Sequence, residues 1–311
     1  MSPAGSQVSG AILMVRPKNF GFNAETAATN RFQHEGGAAG VAARARAEFD
    51  AFAAALAGEG VTVCVAEDAD PPRPDAVFPN NWVSFHADGT VVLYPMQAVS
   101  RRAERRAGIV EQVARDTGFV VRRTLDLTNH EKEGRFLEGT GSLVLDHVSR
   151  IAYACRSPRT DEAVAHQWAG ELGYALELFD ARDAGGAPIY HTNVVMHVGT
   201  RSAVVALDNV AAADRERVAG RLASTGHDVV AITEAEMNAF AGNMLEVGSW
   251  EEFLGDFRIL VMSRTARRAL APEKFERLSA GVDQVLAPPV ETIERHGGGS
   301  VRCMLAEVFL R

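Results

Sequence analysis

The sequence predicts an α/β protein made of five strand–strand–helix–strand units with pseudo-five-fold symmetry. Three observations carry this prediction. Four segments read as β-hairpins, and each is followed by an amphipathic helix and one more strand. The hairpin starts Trp82, Leu143, Val194, Met244 and Cys303 are spaced 61, 51, 50 and 59 residues apart. The two ends of the chain supply the pieces that a fifth unit lacks.

Taken in order, residues 12–15 read as a strand, 41–56 as a helix and 61–65 as a closing strand. The hairpin at 82–94 turns at 87–90, where Asp88 and Gly89 favour a reversal. A helix over 101–117 and a strand over 120–127 follow it. The second hairpin spans 142–155 and turns at 146–150; its helix is 161–172 and its strand 175–179. The third spans 194–207 and turns at 199–202, with a helix at 212–223 and a strand at 229–232. The fourth, 244–262, carries an insertion containing Trp250, followed by a helix at 272–280 and a weak strand at 285–289. Residues 300–310 then provide the strand missing from the first unit, closing a ring of five. The alternative at this level is a generic α/β protein with one mixed sheet.

With 311 residues, 47% hydrophobic and 23% charged, the chain has the make-up of a globular protein. The repeat argues for a single domain over 1–311, with a polar N-terminal tail at about 1–10. A net charge of −8 argues against a nucleic-acid binder that relies on a basic surface. Three cysteines cannot build a disulfide scaffold and read as reduced thiols. Residues 1–10 lack the basic and apolar stretches of a signal peptide, and no apolar run approaches a membrane span. The expectation is a soluble cytoplasmic protein with no membrane or nucleic-acid partner; a homo-oligomer is left open.

Polar residues interrupt the apolar strands at the same place in each unit, the start of the hairpin. They are Asn80 and Asn81; Glu138; His191 with Asn193; Asn243; and Cys303. In a ring of five such units these positions converge on one axis. A Glu, a His and a Cys far apart in sequence would then share a pocket with the parts of a nucleophilic site. Cys64 and Cys155 sit inside apolar strands and read as small buried hydrophobes. No Cys-x-x-Cys, His-Glu-x-x-His or phosphate-binding glycine loop occurs, so neither a metal nor a cofactor is expected.

Glu138-Gly139, His191-x-Asn193 and the stretch Gly298-Gly299-Ser300-Val301-Arg302-Cys303-Met304 resemble the guanidine-modifying superfamily with the five-bladed β/α-propeller (pentein) fold. Its members include arginine deiminases, dimethylarginine dimethylaminohydrolases and amidinotransferases. The stretches 78–82 and 136–142 look most like the citrulline-utilisation hydrolase group. This resemblance implies hydrolysis of a guanidino C–N bond of arginine or a close relative, through a covalent thiouronium on Cys303. It makes His191 the acid/base and Glu138 the carboxylate that grips the guanidinium. It also implies that Arg159, with Arg101 or Arg102, clamps the substrate carboxylate; a solvated helix start is the other reading of the latter pair. Deiminases carry Asp where Asn193 stands, and an Asp near Asn80 and Asn81. The amides, placed with Asn243 at the substrate, would hold a cation less strongly and tolerate a ureido group. An amidinotransferase and a non-catalytic guanidino-binding propeller are the competing readings.

Overall fold

One pairing rule repeats five times in the computed structural model, which describes residues 5–36, 40–71, 73–249 and 257–310. A strand pairs antiparallel with a second, and the second pairs parallel with a third that a helix delivers. Val144–Asp146, Ile151–Cys155 and Ala175–Phe179 form one such set. Met196–Val198, Ser202–Val205 and Asp228–Ala231 form another. Leu245–Ser249, Phe257–Val261 and Gln284–Leu286 form a third; the expected insertion around Trp250 lies outside the described residues.

The remaining two sets share a six-stranded sheet in the order Thr62–Glu67, Ala11–Arg16, Ala306–Val308, Val83–Phe85, Thr90–Leu93, Arg123–Asp126. They meet through one pair, Val308 beside Phe85. Within this sheet the ends of the chain pair as expected, Ala11 opposite Val308 and Leu13 opposite Ala306. A parallel third strand needs a crossover, which the helices Val41–Gly58, Ala107–Thr117, Glu162–Leu172, Ala212–Ser224 and Pro272–Ser279 provide.

Glu162–Leu172 shows how the sequence specifies these crossovers. The Asp161 side chain accepts from the Val164 N–H at the N-terminus, and Gly173 (φ +68°) closes the other end in the left-handed region. Val164, Ala165, Trp168, Ala169 and Leu172 form one buried stripe. Trp168 is completely buried and donates its indole N–H to Tyr94 Oη at 2.8 Å.

Three details differ from expectation. The helix expected over 101–117 is two, Val99–Arg102 and Ala107–Thr117. The chain breaks because Arg101 and Glu104 turn inward as a buried pair, while Arg105 reaches the Tyr94 carbonyl and Arg106 the Glu67 carbonyl. The expected tail at 1–10 is packed from Gln7 onward, whose amide donates to the Leu145 and Val198 carbonyls. Helices Glu234–Asn238, Arg264–Ala269 and Glu291–Gly297 are additions; the first is held by a Thr233–Glu236 capping box. No helix among the described residues is long and apolar enough to cross a membrane.

Replacing Trp168 by Ala removes a fully buried ring and leaves the Tyr94 hydroxyl with Ser84 as its one remaining partner among the described residues. Urea unfolding of Trp168→Ala is expected to show a loss of about 3–5 kcal/mol; a loss below about 1 kcal/mol would contradict this packing.

Candidate active site

Three of the hairpin starts are short helical turns rather than strands, and these turns lie against one another. They are Pro79–Asn81, Gly139–Ser142 and Thr192–Val195. Glycine makes the contacts feasible. A Cβ at Gly139 would sit 2.1 Å from the Asn80 carbonyl oxygen, and one at Gly242 would sit 2.2 Å from that of Val194. At Gly141 it would meet Asn81 Nδ2 at 2.5 Å and His191 Nδ1 at 2.8 Å. No other residue lets the backbones approach this closely.

The nucleophile candidate arrives the same way. Helix Glu291–Gly297 ends on Gly298 at φ +64°, and the chain then turns through 300–304 to present Cys303. Gly297 and Gly299 let the Phe78 ring lie flush against this turn. Cys303 is 4% exposed. Two amides donate towards its sulfur, Asn243 Nδ2 at 3.3 Å and Asn193 Nδ2 at 3.6 Å. Asn243 also fixes the surroundings: its Nδ2 donates to the Asn193 carbonyl and its Oδ1 accepts from the Arg302 N–H. Burial pushes the Cys303 thiol above its ordinary value, with the Asn243 contact and the Arg302 charge acting the other way.

Behind the cavity wall, Glu138 Oε2 lies 2.9 Å from His191 Nε2 and 3.4 Å from an Arg159 nitrogen, and its Oε1 accepts from the Gln97 N–H. Burial alone would raise this carboxyl, but Arg159 and His191 hold it well below the usual carboxylate range. An ionised Glu138 requires the proton on His191 Nε2, which leaves the Nδ1 lone pair free as a base. Burial takes the imidazole down to about 4, against the pull of Glu138, so His191 is neutral near pH 7.

A tight cleft opens beside Cys303. Of the residues expected at the substrate, it is lined by Cys303, His191, Asn81, Arg159 and Arg101. Arg101, not Arg102, faces it. Arg102 turns away to the Met96 carbonyl and Glu131, and Arg101 is 3% exposed, so neither is a solvated helix start. Glu138, Asn80, Asn193 and Asn243 do not line the cavity. Glu138 is spent on His191; Asn193 and Asn243 reach the sulfur; Asn80 is wholly buried and donates to Thr140 Oγ1 at 3.3 Å.

Two contributors were missed in the sequence. Asp75 lies in the wall, 2% exposed, accepting from Asn23 and Thr26 at 2.8 and 2.9 Å. A segment from Asn23 to Gln33 covers the entrance: Gln33 donates to the Gly297 carbonyl, Asn30 to that of Gly298, and Arg159 to Thr26 and Thr29. The one available signal was a charged residue, Asp75, beside the apolar run 76–78. Among the described residues no group of His, Cys, Asp and Glu could hold a metal ion.

Residues 16–310 match the family model described as N,N dimethylarginine dimethylhydrolase, eukaryotic. No curated protein matches. Among solved structures, the N-terminal domain of ArgZ, an arginine dihydrolase from the ornithine–ammonia cycle in cyanobacteria, is 17% identical. Its TM-score is 0.73, covering 96% of this chain and 99% of that one. AgrE in complex with L-arginine is 18% identical with a TM-score of 0.72, but this chain spans only 39% of its length. A dimethylarginine dimethylaminohydrolase bearing a 4-chloro-2-hydroxymethylpyridine adduct is 15% identical, with a TM-score of 0.64 and coverage of 96% and 99%. These likenesses establish a shared mixed α/β fold.

Because burial raises the Cys303 thiol, alkylation of Cys303 by iodoacetamide in the ligand-free protein should be slow at pH 7. It should accelerate only above the pH at which free cysteine reacts. Peptide mass spectrometry across pH checks this; rapid labelling at pH 6 would contradict it.

Proposed function

The chain belongs to the N,N dimethylarginine dimethylhydrolase family within the pentein guanidino-modifying superfamily, and we propose that it hydrolyses a C–N bond in the guanidino or ureido group of arginine or a close relative. The observation that carries this reading is a buried thiol with two amide donors, opening on a cavity whose wall holds a carboxylate-oriented imidazole. In this reading the five strand sets stand as blades about one axis, with the site at its end, and the protein works in a reducing cytoplasm.

The steps follow from the groups present. Arrival of a cationic guanidinium, together with the Asn193 and Asn243 N–H groups, favours transfer of the Cys303 proton to His191 Nδ1, which leaves the thiolate. The sulfur adds to the guanidinium carbon. His191 passes a proton to the departing nitrogen; the C–N bond breaks and ammonia, or an amine from an N-substituted substrate, leaves a planar thiouronium. His191 then takes a proton from water as the water adds to the same carbon, and the C–S bond breaks to give the ureido product. Glu138 keeps the imidazole in the working tautomer. Asp75 and Arg159 supply opposite charges for an amino acid's ammonium and carboxylate groups.

A second passage through the same steps, now on the ureido carbon, would release a second ammonia with ornithine and carbon dioxide. The amide at 81 favours this outcome, because it does not repel a neutral carbonyl group.

Ammonia released per L-arginine consumed tests the reading, with carbon products identified by mass spectrometry and dimethylarginine run in parallel. One ammonia with citrulline gives a deiminase, two with ornithine a dihydrolase, and dimethylamine from dimethylarginine the family's named activity. Cys303→Ala should abolish turnover and retain binding. Product release by that variant, or no turnover of any of these compounds by the wild type, refutes the proposal.

A further inference from the structure

The turns that close the first two hairpins, at the ends away from Cys303, carry His86 and His147 and enclose a pocket of about 240 Å³. That is space for about eight water molecules. None of its residues lines the cleft beside Cys303. His86, Asp88, His147, Arg150, Tyr174 and Phe309 supply its chemistry, and none of them takes part in the hydrolysis proposed above.

A buried chain of hydrogen bonds fixes the proton on His86. It starts at Trp168, whose indole nitrogen can only donate, and does so to Tyr94 Oη at 2.8 Å. Tyr94 Oη lies 2.7 Å from Ser84 Oγ, which lies 2.8 Å from His86 Nε2. Tyr94 is completely buried, and Ser84 is the one acceptor its hydroxyl proton can reach among the described residues. The Tyr94 proton therefore points to Ser84, and the Ser84 proton to His86 Nε2. Burial lowers the imidazole to about 4, so at pH 7 it is neutral and carries its single proton on Nδ1. His86 is 7% exposed, and its Nδ1 has no hydrogen-bond partner among the described residues. Asp88, the acid in the wall, is turned to the Thr90 N–H at 2.9 Å. A buried donor so placed is costly unless a ligand accepts from it.

Arg150 adds a positive charge to the same pocket. It stands at φ +56°, with its guanidinium over the Tyr174 ring, 4.1 Å from the centroid. Its Nε and one terminal nitrogen donate to the Gly173 and Leu172 carbonyls; the other terminal nitrogen has no partner among the described residues. Flat rings complete the wall. His147 Nδ1 lies 2.8 Å from Tyr174 Oη, and its ring centroid is 4.4 Å from that of Phe309. Two unmatched donors beside aromatic rings select an acceptor with a flat apolar body. Asp88 disfavours a doubly charged anion such as phosphate. We propose that the pocket is a second small-molecule site, for a flat monocarboxylate whose oxygens accept from His86 Nδ1–H and Arg150 while its body lies among the Tyr174, His147 and Phe309 rings. This site stands apart from the hydrolase reading, so either can fail without the other.

Sodium benzoate is the probe, titrated into the 311-residue chain carrying nitrogen-15-labelled histidine and followed by long-range proton–nitrogen spectra at pH 7. Before titration one histidine, identified by its loss in His86→Phe, should show the Nδ1–H tautomer. Benzoate should shift that signal with a dissociation constant of about 1 mM or tighter. Uncharged benzamide should bind about tenfold more weakly. Arg150→Gly removes the guanidinium and suits the positive φ, so the fold is kept; benzoate affinity should then fall about tenfold. An Nε2–H tautomer at His86, or no shift at about 10 mM benzoate, overturns the proposal. Equal binding of benzoate and benzamide overturns the assignment to a carboxylate, and undiminished affinity in Arg150→Gly removes the arginine from the site.

Discussion

Glycine stands where hairpin starts crowd together, and the geometry of the site depends on these contacts. Gly139 against the Asn80 carbonyl, Gly141 against Asn81 and His191, and Gly242 against the Val194 carbonyl each lack room for one more carbon. The approach brings the first residues of separate strand sets within side-chain reach. Only then can Glu138 of one set meet His191 of the next, and Asn193 and Asn243 meet Cys303. The strands and crossover helices hold these turns in place; they supply rigidity, and the turns supply chemistry.

Around that junction the electrostatics are divided between two layers. Groups facing the cavity are poised to be neutral or to receive a ligand: a raised thiol, a neutral imidazole and an amide with a free donor. Buried acid–arginine pairs brace them: Glu138 with Arg159 and Glu104 with Arg101, whose arginines also line the cavity, and Glu307 with Arg302. Paired and buried, these ions do not contact the reacting atoms but fix the orientation of those that do. Such an arrangement would suit the proposed guanidinium substrate, because a scaffold of paired charges does not reorganise as the substrate changes.

Much of this was legible in the chain itself. Regular spacing of hairpins, period-matched helices and the need for a strand from the far end to complete the first set all appear in the structure. The polar interruptions at 138, 191 and 303 do share one neighbourhood. What escaped were features set by tertiary contact. The helix break at 103–106 comes from burying Arg101 and Glu104, which read as ordinary surface residues on a helix. Asp75 sits in a proline-rich stretch with no periodicity, and residues 23–33 mix small, polar and charged side chains with a lone Phe32, as a surface loop does. The sequence also left open where the asparagines point: Asn193 and Asn243 donate toward the sulfur, and only Asn81 of the four lines the cavity.

The pairing of Ala11 with Val308 spans 297 residues, and it has a kinetic side. The turn that holds Cys303 leads directly into Ala306–Val308, the strand that inserts between the first and second sets. Closing so long a loop is among the last events in folding, since non-local contacts return nothing until the intervening chain is ordered. Until Ala306–Val308 arrives, Ala11–Arg16 and Val83–Phe85 therefore wait with open edges. The thiol reaches its partners in that same step, so partly folded chains carry no assembled nucleophile.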